Sequence, residues 1–213
     1  MTDFNLPLKP PKLSNIAYDA LRLAALSSKL ALEERTIVTH ITGRAENVAE
    51  HSCMLAFVAT VIAEKYYPKL DANLISRFAV IHDVVEAYVG DTPTHDITAE
   101  GLKEKEAKEQ QGLAQLRKDY AELSSFVKLV EQYEAQELAE ARFVRVIDKW
   151  TPVLVHFADE GATLRSYTDP QELVEDYKPR ADKLKKDYPE FTELITVRED
   201  LTRAAAEYLF KTV

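Results

Sequence analysis

The sequence predicts an all-α protein built as a helical bundle. Three observations carry this. Glycine occurs only 5 times in 213 residues. Long stretches are rich in Ala, Leu, Glu and Lys, residues that lose little entropy in a helix. Apolar residues recur at steps of three and four, and no segment shows the period of two that marks a half-buried strand.

The elements follow in order. Pro7, Pro10 and Pro11 mark an extended arm over residues 1–13. Ser14 is placed to cap a helix running to about Glu34, with Ile16, Ala20, Leu23 and Leu30 at helical spacing. Residues 36–43 have no clear period and read as a loop, with Gly43 permitting a tight turn. A second helix runs from near Glu46 to about Tyr66. His51, Leu55, Val58 and Ile62 step by four, three and four, so an imidazole points inward with the apolar stripe. Asp71 caps a third helix in which Leu74, Phe78, Ile81 and Val85 share a face, His82 borders that face, and Gly90 ends the segment. Residues 91–98 form a polar loop. A charged helix begins near Ala99, weakened by Gly101 and Gly112. A long helical pattern from Tyr120 to Ala158 brings Ala141, Val144, Asp148 and Val155 into phase. Pro152 has no N–H for the Asp148 carbonyl, which predicts a bend or a break. Turns at Asp169-Pro170 and Pro189 precede a last amphipathic helix from about Glu193 to Leu209.

Composition narrows the function. The length suits one domain with a substantial core, and no repeat or interdomain linker interrupts it. With 27 basic and 36 acidic residues the formal net charge is -9, which argues against a duplex nucleic-acid binder. A small phosphorylated substrate is not excluded, because a metal and a few local arginines neutralise one. Cys53 is the only cysteine, so no internal disulfide forms and a reducing compartment is expected. The N-terminal stretch has no apolar core of the kind a signal peptide carries. The longest mostly apolar run, residues 53–63, is shorter than the roughly 20 residues a membrane span needs. The expectation is a cytoplasmic protein with no membrane partner.

The chemistry concentrates in His82-Asp83-Val84-Val85-Glu86, followed by Gly90-Asp91-Thr92-Pro93-Thr94. His51 and Asp148 are further inward residues on their own helices. Together His51, His82, Asp83 and Asp148 offer two imidazole nitrogens and two carboxylate oxygens. Mixed ligation of this kind suits one divalent ion such as Mn²⁺, Co²⁺, Fe²⁺ or Mg²⁺. Four such groups on apolar stripes are costly to bury without a cation to compensate them. Glu86, one turn beyond the His-Asp pair, is the candidate to position a water or move its proton.

The run Arg44-Ala-Glu-Asn-Val-Ala-Glu-His51, the His82–Glu86 and Gly90–Thr94 motifs, Asp148, and the Glu131–Val144 segment before it resemble the HD-domain metal phosphohydrolases. Within them the similarity is to the bacterial HD-domain 5′-deoxynucleotidases and their eukaryotic HD-domain-containing relatives, over roughly residues 30–158. The resemblance implies a single all-α HD domain across 1–213, with a core of about 14–165 and a C-terminal helical extension over 166–213. It implies metal ligation by His51, His82, Asp83 and Asp148, and Glu86 as the catalytic carboxylate. Asp91 becomes a substrate contact near the sugar, and Arg35 a contact to substrate phosphate. Thr36 stands where the family pattern has a tryptophan beside the nucleotide. Lys149 reads as a phosphate contact or a solvated charge, and Arg44 as a phosphate ligand or a support for the Glu46-Asn47 segment. His40 and His95 read as loop residues.

The implied activity is release of the 5′-phosphate from deoxynucleoside monophosphates by a homodimer. Two alternatives stay open: a deoxynucleoside triphosphohydrolase of dATP type, for which Thr36 leaves room, and a nucleotide-binding or scaffold protein without turnover. A guanosine tetraphosphate hydrolase is disfavoured by Ala87 after Glu86. A di-iron oxygenase is disfavoured because only His95 and His156 follow His82.

Overall fold

A computed structural model describes residues 12–39, 43–91 and 98–211. The expected arm up to residue 11 and the loop histidines His40 and His95 lie outside the described residues, as do Thr92, Pro93 and Thr94. Helix α1, Asn15–Leu30, is capped by Ser14, whose hydroxyl accepts from the Ala17 amide. It stops short of Glu34 because the chain turns into a strand. Strand β1, Glu34–Thr39, pairs antiparallel with β2, Ala45–Asn47, matching Glu34 with Asn47 and Thr39 with Ala45. This small sheet corrects the expected loop. Thr36, Ile37, Val38 and Thr39 form a β-branched run, which favours extended backbone even where no alternation is visible.

Helix α2, Val48–Tyr66, opens on a capping box. The Asn47 side chain accepts from the Glu50 amide, and the Glu50 carboxylate accepts from the Asn47 amide. Arg44 pairs with the same Glu50 carboxylate and donates to the Ala45 carbonyl. Its contacts therefore hold the start of α2. Helix α3, Ala72–Ile81, is capped by Asp71 and packs along α2.

Two expected helices are broken. The third does not run to Gly90: residues 82–85 form turns, and a short helix α4 follows at Glu86–Val89. The pattern from Tyr120 to Ala158 is three helices, α6 (Ser124–Ala135), α7 (Ala139–Asp148) and α8 (Thr151–Ala158), after α5 at Ala99–Asp119. Gln136 ends α6 in the left-handed region at φ 51°. Lys149 and Trp150 separate α7 from α8, and Pro152 sits in the first turn of α8, where its missing N–H has no helical partner to lose. The break is the sharper of the two outcomes Pro152 predicted.

Helix α9, Pro170–Asp187, packs against α10, Thr192–Tyr208, across the turn at Pro189–Phe191. α10 also reaches α7 and α8. The main core joins Leu55 of α2, Ile75 and Phe78 of α3, Val130 and Tyr133 of α6, and Phe143 and Ile147 of α7. A smaller cluster ties Val153 of α8 to Ala205 and Leu209 at the end of α10. α5 lies against the α4 turn. A Cβ on Gly112 of α5 would fall 2.7 Å from Val85 Cγ1, so the glycine that weakens this helix in sequence terms is what lets it approach. Among the described residues no helix is long and apolar enough to cross a membrane.

Candidate metal centre

Each of the four expected ligands sits at the end of a helix. His51 lies in the first turn of α2, held there by the capping box. Asp148 is the last residue of α7, and the Thr151 hydroxyl donates to its carbonyl at 2.7 Å. His82 and Asp83 follow the end of α3. Adjacent residues on a continuous helix diverge by about 100°. Here the turns at residues 82–85 close through i to i+3 bonds, with the Val84 amide on the Ile81 carbonyl and the Glu86 amide on the Asp83 carbonyl. Unwinding lets both side chains face one point.

The donor atoms converge. His51 Nε2 lies 3.1 Å from His82 Nε2 and 3.0 Å from Asp148 Oδ1. Asp83 Oδ2 lies 2.8 Å from His82 Nε2 and 3.7 Å from His51 Nε2. His82 Nε2 and Asp148 Oδ1 are 3.8 Å apart. The set of His51, His82 and Asp83 is close enough to share one ion; Asp148 lies outside that set, its Oδ1 beside the two imidazoles.

The surroundings prepare these atoms for a cation. His82 Nδ1 lies 2.9 Å from the Ala79 carbonyl. A carbonyl only accepts, so Nδ1 carries the hydrogen and Nε2 is the nitrogen that offers a lone pair. Burial lowers the pKa of His51, which is fully buried, and keeps that ring neutral. Burial opposes ionisation of Asp83 and Asp148, but His82 and Lys149 respectively outweigh it and hold both as carboxylates. Burial also works against charge on His82, yet Asp83 beside it raises its pKa. A divalent ion at this point would compensate the carboxylates in its place. The donor set and its fixed tautomer fit such an ion.

Around this cluster the structure opens a cavity of about 400 Å³ lined by Arg35, His82, Asp83, Glu86, Asp91 and Lys149, with Asp148 on its wall. Glu86 is buried, and its Oε2 makes no hydrogen bond. Burial, then the charges of Asp83 and Asp91, push its pKa up to about 9. It holds a proton at neutral pH. Lys149 pairs with Asp148 Oδ2 at 2.6 Å, so it touches the cluster and is not simply solvated. Arg35 Nη1 lies 3.7 Å from Asp83 Oδ2. The Thr36 side chain falls outside the described residues.

Two residues here were missed in the sequence. Glu46 of β2 is buried beside His51, its Oε2 3.9 Å from His51 Nδ1 and 3.5 Å from Arg35 Nε. Burial pushes its pKa up to about 7, with Arg35 opposing. At 3.9 Å Glu46 and His51 Nδ1 are not hydrogen-bonded, so the carboxyl stands behind the ring without fixing it. Nothing in its strand position announces this, because β2 is only three residues long. Arg145 lies one turn before Asp148 on α7 and lines the cavity. Its guanidinium rests over the Tyr133 ring at 5.2 Å and makes no ion pair among the described residues. The i, i+3 spacing to Asp148 was the available signal.

Known proteins are similar to this chain in sequence and fold. The family model for the HD domain matches residues 28–191. The 5′-deoxynucleotidase HDDC2 of Xenopus laevis is 31% identical over 164 residues, covering 76% of this chain and 77% of that protein. The human 5′-deoxynucleotidase HDDC2 is 31% identical over 159 residues, covering 73% of this chain and 72% of its own length. The crystal structure of a predicted metal-dependent phosphohydrolase from Magnetospirillum magnetotacticum MS-1 superposes with a TM-score of 0.63 at 28% identity, covering 88% of this chain and 94% of that one. With the helical fold, the buried His-Asp cluster and a family match over most of its length, this chain belongs to the HD-domain family.

Proposed function

We propose that this protein is a metal-dependent 5′-deoxynucleotidase that hydrolyses deoxynucleoside monophosphates to deoxynucleoside and phosphate. The observation that carries the reading is the convergence of His51, His82 and Asp83 on one point, with Asp148 Oδ1 3.0 Å from His51 Nε2 and the buried Glu86 carboxyl lining the adjoining cavity. The names and coverage of the HDDC2 relatives support the substrate class.

In this reading His51, His82, Asp83 and Asp148 hold the ion. When bound, a divalent ion at this point neutralises phosphoryl charge and acidifies water. The chain's own residues do the rest. Arg145 of α7, which forms no ion pair among the described residues, and Lys149 just after α7 line the cavity and face the phosphoryl oxygens in this reading. Arg35 ties the ligand Asp83 to Glu46 and contributes a further positive charge. Water would attack phosphorus as the bond from phosphorus to the 5′ oxygen breaks, with the buried Glu86 carboxyl passing a proton to that leaving oxygen and taking one from the water. Asp91 lies on the same wall and contacts the sugar. The exposed Cys53 fits a cytoplasmic location.

A homodimer belongs to the same proposal. An apolar groove of about 580 Å³ runs between α1, α2 and α3, lined by Leu23, Phe57, Val61 and Val80 among others. Exposed apolar surface of this kind marks an association face, and a second copy of the chain covers it in this reading.

The test is product analysis with Mn²⁺- or Co²⁺-loaded protein. Nucleoside plus phosphate from deoxynucleoside monophosphates is expected. Triphosphate released from a dNTP would replace the reading with a triphosphohydrolase, and no product from any nucleotide would end both. Glu86→Gln should lower kcat by roughly 10²- to 10⁴-fold, the usual worth of a positioned acid, with bound metal retained.

A further inference from the structure

The first half of α5 carries a charged pair where core-facing residues are expected. Residues 102–104, 106–108, 110 and 111 are exposed, while Lys105 and Glu109 are turned inward. They share a face with Gly112 and the fully buried Leu116, at spacings of four, three and four. Gly112 is where α5 meets Val85 in the turn that carries the His-Asp pair, so this face of α5 looks at the site. Lys105 and Glu109 both line the cavity, together with Asp83, Glu86 and Asp91.

Lys105 Nζ donates to Glu109 Oε1 at 2.5 Å and, among the described residues, to no other acceptor. An ammonium has three N–H groups, so two are left for a ligand. The Lys105 side chain is 20% exposed, enough for solvent, and so for a ligand, to reach it. Burial works against its charge, but the bond to Glu109 and the neighbouring carboxylates outweigh it and raise its pKa. The group is a cation at neutral pH, within electrostatic reach of both Glu86 and Asp83.

Helix stabilisation accounts for little of this. A Lys–Glu pair at i, i+4 adds modestly to a helix, and less with the lysine first, as here. It gains nothing from facing a cavity. Glu104 and Lys108 stand at the same spacing in the better order on the solvent face. The other cations of the cavity wall have different ties. Arg35 lies 3.7 Å from Asp83 and Lys149 pairs with Asp148, both expected metal ligands. Arg145 rests over the Tyr133 ring. Lys105 is paired instead with Glu109, a residue outside the metal cluster, so it meets an incoming anion without releasing a metal ligand. It also enters the cavity from α5, where Arg35 comes from β1 and Arg145 from α7.

We propose that Lys105 is a substrate-binding residue whose ammonium donates to the phosphoryl oxygens, with Glu109 a positioning residue that holds it on the cavity wall. The inference rests on the 5′-deoxynucleotidase reading and adds a phosphate contact from α5 to it. Hydrogen bonds between an ammonium and a phosphate oxygen are charge-assisted and are among the stronger ones a protein makes.

The experiment measures kcat and KM for dTMP, and the inhibition constant of inorganic phosphate, in Mn²⁺-loaded wild type, Lys105→Met, Lys105→Arg and Glu109→Gln. Lys105→Met should raise both KM and the phosphate inhibition constant about tenfold, the usual worth of a hydrogen bond to a charged group, with bound metal retained. Lys105→Arg should recover most of the phosphate affinity, and Glu109→Gln should show a smaller rise. A phosphate inhibition constant unchanged in Lys105→Met, or a loss confined to kcat or to bound metal, would overturn the contact. Should Lys105→Met not fold, Glu109→Gln carries the test, and a phosphate inhibition constant equal to wild type counts against the pair. Should the wild type hydrolyse no nucleotide, the activity reading fails, and calorimetric titration of the metal-loaded protein with inorganic phosphate decides the contact. Binding weakened in Lys105→Met supports it, and equal binding in the two proteins, or none to the wild type, overturns it.

Discussion

Helix α2 carries two faces that both invert the ordinary pattern of a surface helix. On its inner face His51 is fully buried, while on its outer face Phe57 is 71% exposed. The inner face hides a polar group where apolar burial is expected. The outer face displays apolar groups, Phe57 and Val61, in line with Leu23 of α1 and Val80 of α3. Burying an imidazole costs free energy unless partners compensate it, and here Asp148, Asp83 and His82 crowd its Nε2. Exposing Phe and Val has no such local compensation among the described residues. The difference teaches that the inner anomaly is answered inside this chain, and that the outer one asks for a second surface.

The largest expected effect comes from breaking the inner face. His51→Ala removes one donor from the cluster, and both bound metal, measured by elemental analysis, and phosphate release should fall to background. Retained metal with full activity would mean that the cluster is not the metal centre. Second in size is the contact that holds the turn after the His-Asp pair. Gly112→Ala brings a methyl against Val85, next to Glu86, and should destabilise the fold by about 1–2 kcal/mol in urea titrations, as overpacking does. An unchanged midpoint would show that α5 adjusts freely.

The outer face is tested by Phe57→Glu. Sedimentation should show the proposed dimer replaced by a monomer, with phosphate release per chain unaltered, because Phe57 lies outside the cavity. A wild type that sediments as a monomer would remove the second copy from the outer groove.

A further test is the pH dependence of stability. Glu46 and Glu86 have folded pKa values raised to about 7 and about 9 from 4.5, chiefly by burial. The folded protein therefore keeps protons that the unfolded chain has already released. Their contribution is fully present below pH 4.5 and is lost as pH rises through 7 and then 9. Metal-stripped protein should lose stability between pH 5 and pH 9, and Glu46→Gln should flatten the earlier part of that fall. A urea midpoint that rises over this range would contradict the assignment.

Much of the site was legible in the sequence because its chemistry is local. The His82-Asp83 pair, Glu86 one turn on, and the inward phase of His51 could all be read from spacing. The helix boundaries at the site could not. Periodicity ran straight through residues 82–85 and through Lys149-Trp150, since the flanking residues remain apolar in phase. The β-branched run after Arg35 was passed over because a strand of this length shows too few alternations.

By itself, then, the sequence determined the helical class, the candidate donor residues and the inward direction of His51, all consequences of propensity and of a 3.6-residue period that needs no distant partner. The tertiary structure alone decided where the helices break, that Glu46 stands behind His51, and that Arg145 and Lys105 line the cavity. Those facts depend on segments far apart in the chain meeting around one cavity. Burial and loss of hydrogen-bond partners are properties of that packing, and no local pattern encodes them.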